Sequence, residues 1–555
     1  VSPLRHVARL VALLGAGLLP TPAGAGDPPG KPSPPPATPY RNSAEVEARL
    51  RELAPPGAES PPRALVEYGR SAGGRPLLSL RLGPATGPVV LVHGGLGARD
   101  AAGTAACLDL AERIVGGETA PLAQVAFLLV PAPNPDALDA FLAGKPRAGG
   151  IDVDRDRDDR RGEDGPEDVD GDGEILRMRR RADRGAWTVE EKPAKDGKVL
   201  SDARLLVEKG VDVRRAVSYE AFDEGLDDDG DGEVNEDPPG LDLARQLAGA
   251  SEEKGPWRGD GPFPGAAPEA KALMDLSYET TALVAWYGFT SEGPAILRAG
   301  EESKVADLDD ALYAPIAEAL KAATGLDVRK ASDVPGRAPN PGSDLDWASV
   351  HLTVPAFRVP VWRIAKEEAN GRERKDPDEV DWLLWNDRVL GGAGFVAWKP
   401  FEHPTLGSVE IGGWKRFTRH EPPRDLLGGA VRAVSGAPLV HARFRPVLLP
   451  EAEVEPAGEG LFRVAVRARN RGDAPTDTSS AVKRRRASGV RATFAPAPGA
   501  RAVGGPVQAD LGTVEAGQAS SEVVWLVRKA GGGALGAVRL RHPVAGEATL
   551  EVMAP

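Results

Sequence analysis

The chain has 555 residues and a formal net charge of −13, with 41% hydrophobic and 27% charged residues. That length exceeds one ordinary hydrophobic core and predicts two or three domains, while the composition is globular and the acidic balance argues against nucleic acid or anionic membrane as a partner. The single cysteine, Cys107, excludes an intramolecular disulfide framework and a cysteine-based zinc site.

Arg5, His6 and Arg9 precede an apolar run from Leu10 to Leu19, and Ala23-Gly24-Ala25 offers small residues for cleavage. Residues 1–25 therefore read as a secretory signal peptide, with an uncleaved anchor as the alternative. The expected location is secreted or periplasmic, with no membrane span after cleavage. Residues 26–39 are a Pro-rich, semi-extended linker. From 40 to 438, short apolar runs alternate with segments of helical spacing, which predicts an α/β domain with a mixed sheet flanked by helices. VVLVHGG from Val89 and VAFLLVPAPNPD from Val125 read as buried strands, and AAGTAACLDLAERIV from Ala101 as the helix joining them. Cys107 falls in that helix as a small buried residue.

Acidic Asp/Gly-rich inserts interrupt this domain near 151–180 and 223–239. They contain Asp168-x-Asp170-x-Asp172-Gly173 and Asp227-x-Asp229-x-Asp231-Gly232. Carboxylates at alternate positions before a glycine supply the hard oxygen ligands that calcium takes. The twelfth loop positions are Arg179 and Pro238 rather than glutamate, so these are not complete EF-hands. The expectation is calcium-stabilised loops closed by Glu174, Glu236 or Asp237. The alternative is a solvated acidic turn, the first neutralised by Arg155, Arg157, Arg160 and Arg161. Residues 439–555 change to alternating apolar and polar residues, as in LFRVAVRARNRGD from Leu461, and predict a small all-β, Ig-like sandwich.

Several segments in order resemble the zinc carboxypeptidases. YGRSAGGRPLLSLRLG from Tyr68 is similar to the family's opening hairpin, and GGLGARDAAG from Gly94 to its first metal loop. VPAPNPDAL resembles the following strand end, GLDLAR from Gly240 the arginine-bearing segment, and AWYGFTSEGPAILRA the strand of the second zinc histidine. GSDLDWASVHLTVPAFRVPVW, from Gly342, resembles the segment that ends in the catalytic glutamate. The resemblance implies a carboxypeptidase-like fold and a zinc held by two histidines and a glutamate, with a further glutamate as general base.

At those positions this chain has Gly97, Gly288, Asp100 and, for the general base, Pro360. Glycine and proline offer neither a metal ligand nor a proton acceptor. The expected function is therefore a secreted, catalytically inactive pseudopeptidase that has lost zinc. It would bind peptides or cell-wall fragments through a free carboxylate at Arg245, the position of the family's carboxylate-gripping arginine. One alternative is an active metallocarboxypeptidase with His93 and Asp100 as substitute zinc ligands. The other is a calcium-stabilised structural or adhesion protein, with Asp168, Asp170, Asp172, Asp227, Asp229 and Asp231 as ligands. Whether the chain is an enzyme, and its oligomeric state, stay open at this point.

Overall fold

Buried apolar strands and the helices between them assemble as the alternation predicts. The computed structural model describes residues 39–57, 62–117, 125–145, 147–189, 202–212, 217–249, 259–300, 304–334, 340, 342–364 and 376–555. The predicted signal peptide and all but the end of the linker lie outside these residues.

In chain order the first half comprises β1 (Arg63–Arg70), β2 (Pro76–Leu82), β3 (Val89–His93), β4 (Ala126–Val130), β5 (Arg177–Arg181), β6 (Trp187–Val189), β7 (Leu206–Glu208) and β8 (Tyr219–Asp223). Then come β9 (Leu283–Glu292), β10 (Ile296–Arg298), β11 (Val328–Lys330), β12 (Ala356–Trp362), β13 (Phe395–His403) and β14 (Gly407–Trp414). Eight of them form a mixed sheet in the order β1-β2-β4-β3-β9-β12-β10-β11. Its central strands β4, β3, β9 and β12 run parallel. Every residue of β3 and β4 is buried, because helices cover both faces of such a sheet and leave no polar side.

The helix α1 (Ser43–Leu53) is closed by an Asn42–Glu45 capping box, and α2 (Ala101–Val115) packs against β9. Ala102, Ala105, Ala106 and Cys107 lie against the sheet, so α2 sits close to the strands. Cys107 is a buried free thiol, and burial pushes its pKa well above the ordinary thiol value.

The acidic inserts do more than decorate the domain. Strands β5 to β8, which flank them, join β13 and β14 in a second, six-stranded sheet of order β13-β14-β5-β8-β6-β7, with its own small core of Leu176, Met178, Val409 and Ile411. The sequence did not announce this sheet, because its two halves are far apart in the chain and its strands are rich in arginine.

The C-terminal region is the expected sandwich, with strands β15 (Leu448–Gly458), β16 (Leu461–Asn470), β17 (Arg491–Pro496), β18 (Ala500–Gly504), β19 (Ala509–Asp510), β20 (Val523–Lys529), β21 (Ala534–His542) and β22 (Gly546–Met553). They pair as β15-β16-β20-β18 and β19-β17-β21-β22 around Val464, Trp525, Val538 and Leu540. Ala437, Ala442 and Phe444 still belong to the core of the α/β domain, so the sandwich proper starts at Leu448.

The N-terminus of α2 is held by Glu421, a fully buried residue that arrives from the segment after β14. Its carboxylate accepts from the backbone N–H of Ala101 (2.6 Å) and Ala102 (3.0 Å) and from the hydroxyls of Ser291 and Tyr40. A carboxylate suits the positive end of a helix. Burial nevertheless pushes its pKa up to about 8, with Asp100 adding to the rise against the pull of the Ser291 and α2 donors. A raised carboxyl pKa means that the folded protein keeps a proton the unfolded chain has released. The contribution of Glu421 to stability is thus full below about pH 4.3, the ordinary glutamate value, and declines as pH rises toward about 8. Glu421→Gln is predicted to flatten this slope. Urea unfolding at about pH 5 and about pH 8 should show the wild type losing up to about 1.4 kcal/mol per pH unit more than the variant.

Candidate active site

The end of β3, the middle of β9 and the first part of β12 bring together a single row of residues. His93 pairs in register with Gly288, and Gly288 with Arg358, so the three occupy one row across neighbouring strands and share one face. Gly288, in the middle, has no side chain. The gap above it is filled by Asp344, which begins the short helical segment Asp344–Asp346 and is fully buried.

Asp344 is clamped from three sides. Arg358 donates to Oδ1. His93 Nε2 lies 3.0 Å from Oδ2, and the Trp286 indole N–H donates to Oδ2 at 3.2 Å. The other ring nitrogen of His93 donates to the Gly94 carbonyl at 2.6 Å. Burial by itself would raise the Asp344 pKa; the Arg358 charge and the His93 contact outweigh it and hold the carboxyl well below the usual carboxylate range. Both nitrogens of His93 are thus engaged inside the protein, and the ring is 2% exposed.

This cluster occupies the volume into which a side chain at 288 would project. A Cβ there would stand 2.6 Å from two atoms of the His93 ring and 2.9 Å from Asp344 Oδ2. Contacts this short against buried groups leave glycine as the residue that fits.

Asp100, at the start of α2, is equally committed. Its Oδ2 accepts from Gly97 N–H (2.9 Å), and its Oδ1 from Ser291 N–H (2.9 Å) and the Thr290 hydroxyl (3.0 Å). The carboxylate ties the loop after β3 to the end of β9. Pro360 is buried in β12 opposite Thr290. Strand β10 pairs only with Phe357 and Arg358, so β12 has no ladder on that side at 360 and a residue without an N–H is tolerated.

Arg245 ends the short helical turn Leu243–Arg245, whose Asp242 carboxylate accepts from Ala244 N–H. Burial raises the Asp242 pKa, as do the charges of Asp100 and Asp260, against the pull of Ala244 N–H and Arg245. Arg245 and Asp100 therefore belong to one neighbourhood through Asp242. A pocket of about 430 Å³ that Arg245 does not line opens between the loop at Arg99 and the second sheet, lined by Trp187, Trp398, Trp414, Lys415 and Arg416 among others. Neither Arg99 nor Lys415 has a carboxylate partner among the described residues.

Residues 57–361 match the model of the zinc carboxypeptidases. The chain belongs to the zinc carboxypeptidase family. Residues 447–553 match a family described only as a domain of unknown function. No curated protein sequence matches the chain. Similar solved structures include bovine thrombin-activatable fibrinolysis inhibitor in complex with tick carboxypeptidase inhibitor, at 13% identity, covering 73% of this chain and 97% of that one with a TM-score of 0.39. The metallo-carboxypeptidase of Burkholderia cenocepacia has 13% identity, coverages of 72% and 67%, and a TM-score of 0.33. A murein-tripeptide amidase of Escherichia coli O157 has 18% identity, coverages of 60% and 93%, and a TM-score of 0.25.

The family implies zinc. A catalytic zinc needs three protein ligands around one point with a position left for water. At the family positions this chain offers two glycines and one aspartate whose oxygens already accept three hydrogen bonds. Among the described residues, no three His, Cys, Asp or Glu ligand atoms converge at this strand edge; the groups that do converge lie in the acidic inserts. The residues present do not fit the ion. Asp168 and Asp170 converge with Glu224, and Asp229 and Asp231 with residues of the first insert, while Asp172 and Asp227 stand outside these groups.

Sequence reasoning missed Asp344 and Arg358, although both lie in the segment that carries the resemblance. The signal was the simultaneous presence of a glycine at 288 and an extra histidine at 93. We predict that Gly288→Ala destabilises the protein by about 2 kcal/mol or more through overpacking against His93 and Asp344. Gly97→Ala meets only the end of the Asp100 carboxylate and should cost about half as much. Equilibrium urea unfolding of the two variants checks the order.

Proposed function

We propose that this zinc-carboxypeptidase-family protein does not hydrolyse peptides, and that it binds peptides or cell-wall fragments by their free carboxylate. The observation that carries this reading is the buried His93–Asp344–Arg358 cluster in the volume of residue 288. Position 288 is blocked for a zinc histidine, position 97 has no ligand, and position 360 has no base. Without a metal-bound water or a proton acceptor, the strand edge lacks a nucleophile for an amide bond.

What is kept is cationic and aromatic. Arg245 supplies a planar guanidinium suited to a carboxylate. The pocket at the Arg99 loop offers Arg99 and Lys415 with indole walls, the combination of apolar lining and few charged groups that holds small organic ligands. The reading includes export through the predicted signal. No helix among the described residues is long and apolar enough to cross a membrane.

The rival with His93 and Asp100 as substitute zinc ligands requires breaking the His93–Asp344 contact and all three hydrogen bonds to Asp100, and would leave the buried Asp344 Oδ2 without its imidazole partner. Removing one partner of such a buried pair costs about 3–5 kcal/mol. The reading with calcium in the acidic loops is compatible with ligand binding and is favoured by the converging carboxylates of the inserts.

The test is calorimetric titration of the full chain with an N-acetylated tripeptide ending in a free carboxylate and with its C-terminal amide. The acid should bind at least about tenfold more tightly than the amide, and Arg245→Ala should remove the difference, as expected for a hydrogen bond to a charged group. Equal affinities, or hydrolysis of the acid that a zinc chelator stops, would overturn the proposal.

A further inference from the structure

Three stretches of the inserts fold in the same way. Asp168 accepts from the N–H groups of Gly171, Asp172 and Gly173, Asp170 from Asp172, and Asp172 from Glu174. Asp227 accepts from Gly230 and Gly232, Asp229 from Asp231, and Asp231 from Glu233. The third stretch has no glycine at the corresponding places. Asp154 accepts from Arg157 and Asp159, Asp156 from Asp158, and Asp158 from Arg160. Arg157 and Asp159 adopt the left-handed backbone (φ 77° and 75°) that glycines adopt in the other two loops.

The first and last of these loops share a longer pattern. Asp154-x-Asp156-x-Asp158 is followed by Glu163-Asp164, and Asp227-x-Asp229-x-Asp231 by Glu236-Asp237 at the same spacing. They also embrace each other reciprocally. Asp164 accepts from Asn235 N–H at 2.9 Å, and Asp237 from Arg155 and Gly162 N–H at 3.1 and 3.0 Å. Carboxylate oxygens of Asp156, Asp158, Glu163 and Asp229 lie within 4.8 Å of one another, and so do those of Asp156, Asp229, Asp231 and Glu236. Asp156 and Asp229, the equivalent residues of the two loops, belong to both groups.

The hydrogen bonds above account for the backbone of the loops and not for the carboxylates between them. Asp164 is 0% exposed, lies against Glu236, and its Oδ1 accepts no hydrogen bond. Both oxygens of Glu163 and of Glu236 are also out of solvent, with Glu236 facing Asp164 and Glu163 facing its own backbone N–H. Neighbouring arginines do not neutralise them. Arg155 is directed to Asp260, Asp237 and the Gly240 carbonyl, and Arg160 reaches only Asp158, at 3.5 Å. A buried Asp164 set against Glu236 with no cationic partner among the described residues is unfavourable.

We infer that the paired loops 154–164 and 227–237 form one calcium centre, with Asp156 and Asp229 shared between its two halves. The donors are all oxygen, which excludes a preference for zinc, and the many carboxylates gathered there suit calcium, which takes about six to eight oxygens, better than magnesium. This goes beyond the proposed ligand-binding function and does not depend on it. It does bear on the site, because Asp260, held by Arg155, also accepts from Asp242 N–H and donates its own N–H to the Arg245 carbonyl.

The experiment is a thermal melt of the chelator-stripped full chain with and without millimolar calcium, repeated with magnesium. Calcium should raise the Tm by roughly 5 °C or more, and magnesium by less. Asp156→Asn and Asp229→Asn should each remove the same part of the calcium shift, and the double variant no more than either alone. Asp164→Asn should raise the Tm of the calcium-free protein, by relieving repulsion, while shrinking the calcium shift. An absent calcium response would overturn the centre, as would Asp164→Asn lowering the Tm equally in both conditions, which marks a merely structural acid. Additive losses from Asp156→Asn and Asp229→Asn would mean separate loops and overturn the sharing.

Discussion

One buried carboxylate organises the functional edge of this protein. Asp344 lies over the row His93–Gly288–Arg358, and a desolvated anion is stable there only because a guanidinium, an imidazole and an indole N–H converge on it. The arrangement imposes glycine at 288, engages Nε2 of His93 and bridges the paired residues of β3, β9 and β12. It is a packed structural unit in which Asp344 and His93 are both out of solvent.

The rest of the edge follows the same logic. Asp100 and Glu421 are two carboxylates near the start of α2, and both are spent on backbone and hydroxyl donors: Asp100 on the loop after β3 and the end of β9, Glu421 on the first N–H groups of the helix. Charges that a catalytic site would keep poised for substrate here stabilise the scaffold. The charges left facing outward, Arg99 and Lys415, lie toward the second sheet and its tryptophans. That sheet is built from the strands beside the acidic loops, so the loops that would hold calcium also help to position one wall of the pocket and, through Arg155 and Asp260, the turn carrying Arg245.

The fold was legible in the sequence where it rests on local pattern. The apolar runs at Val89 and Val125, the helix at Ala101 and the alternation from Leu461 each lie within a single element, and periodicity reads them directly. What the sequence concealed was pairing over distance. Asp344 and His93 are 251 residues apart, Glu421 reaches α2 from beyond the second sheet, and β5 finds β14 across most of the α/β domain. The loop at Asp154 was hidden differently: Arg157 and Asp159 take backbone angles that a reader expects of glycine, so the motif was visible twice and missed the third time.

The central claim is that this family member has exchanged its catalytic metal for internal pairing at the strand edge while its loops retain an affinity for a harder cation. Elemental mass spectrometry of the purified mature protein, after dialysis against micromolar zinc and calcium, addresses it most directly. The account predicts bound calcium and no stoichiometric zinc. About one zinc per chain, lost on His93→Ala, would contradict it.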